Sequence, residues 1–196
     1  MTADGKINTD QEEKLAGATA TIGELTAENN RLRSALGFKE KYKVSMQGAS
    51  VVYYGSELGK EYLLIDRGAN ENIQKGTVVV DANGLLVGTV KDVENSFAKV
   101  GIAANTEEVF DVELVPSGVK AFAKGLGNRA FSLELLPQNA AVRSGDYVMV
   151  KSAQSVFLLG EVVRVETSGT GAFKEVRAVL ISHPDLEEEV FVILNK

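Results

Sequence analysis

A mainly β protein with a helical stalk is the fold class this sequence predicts, and three observations carry it. Apolar residues at alternating steps of three and four over 15–36 mark one helix. Short β-branched runs separated by turn residues fill the chain after Tyr42. Two of those β stretches repeat each other in the same order. Together they predict an N-terminal coiled-coil helix followed by two related small β-barrel domains.

The helix comes first. Leu15, Ala18, Ile22, Leu25, Asn29, Leu32 and Leu36 form an a/d heptad seam, with Leu15, Ile22, Asn29 and Leu36 at a and the other three at d. A seam of this kind is a dimerisation surface, so these seven residues are the candidate interaction site. Asn29 is its one polar member, and a single a-position Asn fixes register and favours a parallel pair at some cost in stability. Glu28 at g and Arg33 at the following e can pair across a parallel dimer, contributing about 0.2–1 kcal/mol. Gly17 and Gly23 each weaken the helix by about 1 kcal/mol relative to Ala, so three heptads make a weak zipper unaided. The competing reading is one amphipathic helix lying on the β domain. Gly37, directly after the seam, reads as a C-cap.

After Tyr42 the pattern changes to roughly a dozen short strands, among them Val51-Val52-Tyr53-Tyr54 and Tyr62-Leu63-Leu64-Ile65, at the spacing of sandwiches or barrels. Parallel βαβ folds are not expected, because no second long helical pattern appears. Ile73-Gln74-Lys75-Gly76-Thr77-Val78-Val79-Val80 matches Val142-Arg143-Ser144-Gly145-Asp146-Tyr147-Val148-Met149. Leu86 to Glu94 matches Leu158 to Glu166, and Glu107-Glu108-Val109-Phe110 matches Glu188-Glu189-Val190-Phe191. Their preserved order predicts two related units joined near Gly125 to Asn128, against chance similarity among Val-rich strands. Gly88 and Gly160 fall at equivalent strand bends and are expected to hold backbone angles open mainly to glycine.

These segments also resemble the MreC family of bacterial rod-shape proteins, from about Glu28 onward. Glu28-Asn29-Asn30-Arg31-Leu32-Arg33-Ser34-Ala35-Leu36-Gly37 is similar to that family's passage from coiled coil to barrel. Ile65-Asp66-Arg67-Gly68, Ile73 to Gly76 and Asn83-Gly84-Leu85-Leu86-Val87-Gly88-Thr89-Val90 resemble its first β block. Leu133-Glu134-Leu135-Leu136-Pro137 and Gly145-Asp146-Tyr147-Val148 resemble the opening of its second. The sequence departs from the family in two places: no inner-membrane helix precedes the coiled coil, and Lys151-Ser152-Ala153-Gln154-Ser155-Val156-Phe157 is shorter than the family's Pro-Gly loop.

The resemblance implies a non-catalytic scaffold of the cell-elongation, peptidoglycan-synthesising machinery that maintains rod shape. It implies self-association as a homodimer or higher assembly, and binding to the elongation penicillin-binding transpeptidase and other membrane proteins of that complex. It places the protein in the periplasm or on the extracytoplasmic face of the inner membrane, held through an N-terminal anchor outside this sequence. The alternative is a β-barrel adaptor or periplasmic subunit of a transport or secretion assembly. The expected organisation is a disordered or vector-derived start at 1–14, a coiled-coil helix at 15–38, a first barrel unit at 39–127 and a second at 128–196. Boundaries are approximate, and strands can be exchanged between the units.

Composition narrows the other classes. A net charge of −6 without a basic stripe argues against a nucleic-acid partner. With no cysteine there is neither disulfide nor thiolate metal site. Paired six-stranded barrels raise the question of a chymotrypsin-like protease, but no serine follows the single histidine, His183, and no G-x-S-x-G elbow occurs. His183-Pro184-Asp185 with Glu187 to Glu189 reads as a turn before a final strand in preference to a metal site, and Ser168-Gly169-Thr170-Gly171 reads as a hairpin loop. No catalytic, metal or cofactor residue is therefore assigned, and no cofactor is expected. Tyr53, Tyr54 and Phe157 are candidate interface anchors, with core packing as the alternative.

Overall fold

The computed structural model describes residues 45–151, 155–166 and 173–194, together with Gly17 and Thr21, which are both helical. The heptad seam from Leu15 to Leu36, the exit to Tyr42 and the Ser168–Gly171 stretch lie outside the described residues. Within them the chain forms β1 (Ser45–Glu57), β2 (Lys60–Ile65), β3 (Val78–Val80), β4 (Leu86–Val93), β5 (Ala98–Ile102), β6 (Val109–Val115), β7 (Lys120–Gly127), β8 (Ala130–Glu134), β9 (Tyr147–Lys151), β10 (Val156–Glu166), β11 (Glu175–Leu180) and β12 (Glu189–Leu194). Short 3₁₀ turns at Ala69–Glu71 and Pro184–Leu186 complete the elements.

The strands close into two antiparallel barrels, in the cyclic orders β1-β12-β3-β4-β5-β2 and β10-β11-β8-β7-β6-β9. Alternation drives the closure. In β7, Lys120, Phe122 and Lys124 point out while Ala121, Ala123 and Gly125 point in; in β6, Val112 and Leu114 are buried between exposed or half-buried neighbours. Small inward residues such as Ala121, Ala123 and Ala178 leave room for Phe131 and Leu133 in the same narrow interior. Alternation lapses at Leu86, Val87 and Gly88, which are all buried. There the inner face of β4 lines its own barrel, and the outer face meets the second barrel through a parallel bridge from Leu85 to Leu158. Ser182 Oγ donates to Leu86 O at 2.8 Å across the same junction. The buried apolar side chains of both barrels form one contiguous cluster.

The expected relation between the two units is present strand for strand. Replacing β12, β1, β2, β3, β4 and β5 by β6, β7, β8, β9, β10 and β11 converts the neighbour pattern of the first barrel into that of the second. Even the irregularities correspond: β4 skips a residue against β5 between Val90 and Asp92, as β10 does against β11 between Val162 and Arg164. Gly76 and Gly145, matched in the sequence, both have positive φ, 83° and 91°.

The barrels are not contiguous in the chain. The first is built from 45–102 and 189–194, and the second from 109–180. In repeat terms, β1–β6 and β7–β12 are the two halves, and each gives its sixth strand to the other's barrel. The expected partition at 127/128 therefore cuts through a β-hairpin, and the halves instead meet at 116–119, after Val115 and before Lys120. The Gly125 to Asn128 stretch serves the sheet and its turn instead. A Cβ on Gly125 would sit 2.1 Å from Asn105 O, so this part of β7 can lie against the 103–108 crossover only as glycine. Gly127 (φ 78°) then leads into a two-residue turn at Asn128 and Arg129 (φ 49° and 60°).

Gly88 and Gly160 also need a different explanation from the one expected, since neither has a positive φ. Each is pressed against its neighbouring strand: an added Cβ would lie 2.0 Å from Gly101 O at Gly88, and 2.3 Å from Val179 O at Gly160. They are glycines of close approach.

Candidate docking surfaces

The β1–β2 hairpin stands out from the first barrel. β1 pairs with β12 only from Ser45 to Ser50, so from Val52 to Glu57 its outer edge has no strand neighbour among the described residues. A bulge between Val51 and Tyr53 turns that stretch, and Val52, Tyr53 and Tyr54 are all exposed. The hairpin closes at Leu58 and Gly59, with φ of 52° and 77°, both in the left-handed region of a type I′ turn. Asn, Asp or Gly suits the first of these positions; a leucine there costs about 1–2 kcal/mol of backbone strain. Leu58 is nevertheless 95% exposed, so no packing in the barrel offsets that cost.

Behind the tip lies an ordered polar and aromatic face. Tyr53 and Tyr62 rings meet at 6.0 Å between centroids, and Lys99 Nζ sits 4.1 Å above the Tyr62 ring. Lys99 also bonds Glu57 at 2.8 Å. That hydrogen bond holds the Glu57 carboxyl below its usual range and the Lys99 ammonium above its own. Tyr54 donates its phenolic proton to Glu61; partial burial first, and then this bond, push its pKa up. Lys60 pairs with Glu107 at 2.5 Å. Asn105 locks the tip end of β2 by accepting from Glu61 N at 2.9 Å and donating to Glu61 O at 2.8 Å, as an extra strand residue would.

The second barrel offers a concave counterpart. Strands β6 and β7 carry a groove of about 410 Å³ whose apolar lining includes Ala121, Phe122 and Leu135. Asp111, Glu113, Lys120 and Lys151 surround it, with Lys151 bonded to Glu113. Leu135 is half exposed and, like Leu58, in the left-handed region, at φ 62°.

Of the aromatic candidates, Tyr53 and Tyr54 lie on the exposed hairpin, whereas Phe157 is 1% exposed and belongs to the core. Phe157 is the second residue of β10, where alternation turns it inward. Leu58 and the Leu135 groove escaped the sequence reading. For Leu58 a signal was present, a Leu-Gly pair at a hairpin turn that prefers Asn-Gly; for the Leu135 groove there was none. His183 opens the 3₁₀ turn before β12, and its Nε2 lies 3.1 Å from Arg129 Nη2; the neighbouring Ser182 hydroxyl is spent on Leu86 O. Among the described residues no three His, Asp or Glu side chains gather as a metal would need. What these surfaces can do is bind, through apolar contact and charge.

Two closed six-stranded barrels, built from repeat halves that exchange their sixth strands, define the class of the molecule: a double-barrel β module. Residues 51–194 match the family model of the rod shape-determining protein MreC, barrel core, and the chain belongs to this family. The cell shape-determining protein MreC of Bacillus subtilis (strain 168) is 26% identical over 191 residues, a match covering 86% of this chain and 65% of that protein. The chain thus spans a little less than two thirds of that relative's length. A solved MreC structure superimposes with a TM-score of 0.77 at 23% identity, covering 87% of this chain and 99% of the other. A structure described as a complex between penicillin-binding protein (PBP2) and MreC from Helicobacter pylori gives 0.54 at 15% identity, covering 78% and 99%. At such identities the structural likeness establishes the fold.

Proposed function

We propose that this chain is a non-catalytic scaffold of the bacterial cell-elongation machinery, self-associating and binding the elongation penicillin-binding transpeptidase outside the cytoplasmic membrane. The observation that carries the reading is family membership over 51–194, in a protein family that determines cell shape. The structure supports it physically. The barrels share one buried cluster and a stitched crossover, as a rigid spacer needs, and their conspicuous exposed features are apolar protrusions and grooves. A relative's complex with a penicillin-binding protein supports the choice of partner. The stalk supplies the homodimer, with Asn29 setting its register and an upstream membrane anchor holding it at the extracytoplasmic face of the inner membrane.

The test joins both halves of the reading. The full natural protein, recovered from its own membrane fraction, should bring down the transpeptidase. In sedimentation over a concentration series, the purified chain should exceed monomer mass, and Asn29→Leu should tighten association while loosening control of oligomer number. A chain that stays monomeric at high concentration, with Asn29→Leu behaving identically, would refute the stalk dimer. Membrane fractions that yield no transpeptidase would refute the partner.

A further inference from the structure

We propose that Asn83 is a covalent modification site: its side-chain amide is lost by reaction with Gly84 whenever the β3–β4 turn opens, and Asp81 is the residue that holds that turn closed.

Asn83-Gly84 is the one Asn-Gly pair in the sequence. Glycine leaves its main-chain nitrogen unshielded by a side chain and free to rotate toward the preceding amide carbon. In the reaction Gly84 N bonds to Asn83 Cγ and gives up its proton, the side-chain nitrogen leaves as ammonia, and a succinimide ring closes. Water then opens the ring at either carbonyl. One opening gives aspartate on the ordinary main chain. The other gives isoaspartate, whose main chain runs through the former side chain and is a methylene longer. Water is the only co-reactant, and nothing is oxidised or reduced.

The turn treats the two reacting groups differently. Asn83 is exposed, so its amide meets water, whereas Gly84 is buried. Gly84 N donates to Asp81 O at 3.0 Å, and Asp81 Oδ1 accepts from Asn83 N and Leu85 N at 2.8 Å each. Three consecutive main-chain amides are thus held by one residue. Asp81 N closes the hairpin in turn by donating to Leu85 O at 3.0 Å. Gly84 N can reach Asn83 Cγ only by leaving Asp81 O, and the amides on both sides of it are tied to the same aspartate. Asp81 is itself only 4% exposed, so little water competes for these bonds. The reaction in the folded protein therefore proceeds through the small fraction of molecules in which the turn is open.

The position gives the reaction a structural effect. β3 pairs with β4 only over Val78–Val80, and the turn leads directly to Leu85, which bridges to Leu158, and to Leu86, whose carbonyl accepts the Ser182 hydroxyl. An additional methylene in the main chain at 83 shifts Leu85 and Leu86 against β3 and loosens the junction between the barrels. The repeat-related connection from β9 to β10 contains no asparagine, so the modification acts on one side of the junction alone.

Peptide mapping by mass spectrometry, after ageing the full chain in alkaline buffer, measures conversion at Asn83; isoaspartate-specific methylation measures the longer-chain product. Wild type unfolded in guanidinium chloride should convert at least about tenfold faster than the folded protein. Folded Asp81→Ala should convert several-fold faster than folded wild type. Asp81→Asn, which keeps a carbonyl oxygen for both amides, should stay close to wild type. Asn83→Asp, with an acid on an ordinary main chain, should lose less stability than the isoaspartate form isolated from aged protein. An unfolded chain that keeps its Asn83 amide would overturn the site. Equal rates in the folded and unfolded chains would overturn protection by the turn, and Asp81→Ala converting no faster than wild type would overturn the role of Asp81. If Asp81→Ala does not fold, hydrogen exchange at the Gly84 amide of wild type reads the same guard. Strong protection there supports it, and exchange at the rate of an unstructured peptide refutes it. An isoaspartate form as stable as Asn83→Asp would overturn the effect on the barrel junction.

Discussion

Gly88 and Gly160 allow the duplication to be weighed energetically. At both positions a neighbouring strand's carbonyl occupies the space a Cβ would need, 2.0 Å away at Gly88 and 2.3 Å at Gly160, where real Cβ contacts stay beyond about 3.0 Å. Any side chain at Gly88 must push β5 off by about 1 Å, and one at Gly160 must push β11 by somewhat less. The displaced backbone includes the pairs Gly88↔Ile102 and Thr89↔Gly101 in one barrel, and Gly160↔Leu180 and Glu161↔Val179 in the other. Overpacking costs about 1–3 kcal/mol, and weakening one or two ladder bonds adds about 1 kcal/mol each, so either substitution should destabilise by about 2–4 kcal/mol. For a body of this size that lowers Tm by about 5–15 °C. Because the collision is at Cβ itself, Gly88→Ala and Gly160→Ala should already show most of the loss seen with Gly88→Val and Gly160→Val. Denaturant unfolding of the full chain, followed by far-UV circular dichroism, gives the numbers. Alanine variants that are neutral while the valine variants are severe would refute close approach as the cause. One neutral site beside one severe site would refute the equivalence of the barrels.

Two further outcomes follow from single side chains. Asn105→Ala removes both bonds to the Glu61 backbone and leaves that peptide's N–H and C=O without them, so stability should fall by about 1–3 kcal/mol in the same denaturation assay, with Asn105→Asp recovering only part. Asp81 accepts from Asn83 N and Leu85 N at 2.8 Å each, yet burial outweighs these bonds and raises its pKa. The folded state therefore holds the Asp81 proton more tightly than the unfolded chain. The stability that this proton contributes is fully present below the ordinary aspartate range and is lost as pH rises from there through the raised value. Asp81→Asn keeps a carbonyl acceptor for both amides and should flatten the stability–pH curve in that window, which unfolding at a series of pH values would measure. An unchanged slope would show that another group sets it.

Local pattern made much of this protein legible. Period-two alternation is set by the strand itself, so the change after Tyr42 from helix-like to strand-like spacing identified the β class without any knowledge of partners. The repeat was readable because equivalent strands face equivalent interiors: Gly76 and Gly145 need the same turn, and Leu86 to Glu94 and Leu158 to Glu166 carry the same bulge. The match of Glu107–Phe110 to Glu188–Phe191 already held the key to the topology, since these residues lead into β6 and β12, the two exchanged strands. Which barrel each strand enters is a long-range choice. β12 finds β1 and β3 more than a hundred residues back in the chain, and no local preference encodes that pairing. The same limit explains the glycines. Composition shows that Gly88, Gly125 and Gly160 lack a side chain, but only the assembled sheet shows which carbonyl lies where that side chain would be. It explains Phe157 and Leu58 too: one aromatic falls on an inward register position and one turn leucine is left with nothing against it, because burial is decided by what packs opposite. Periods and turns were legible because they depend on neighbours within a few residues, and the duplication because a repeat can be read by comparing segments of one chain; the strand exchange, the close approaches and the exposed turn leucine depend on residues that meet only after the chain has closed on itself.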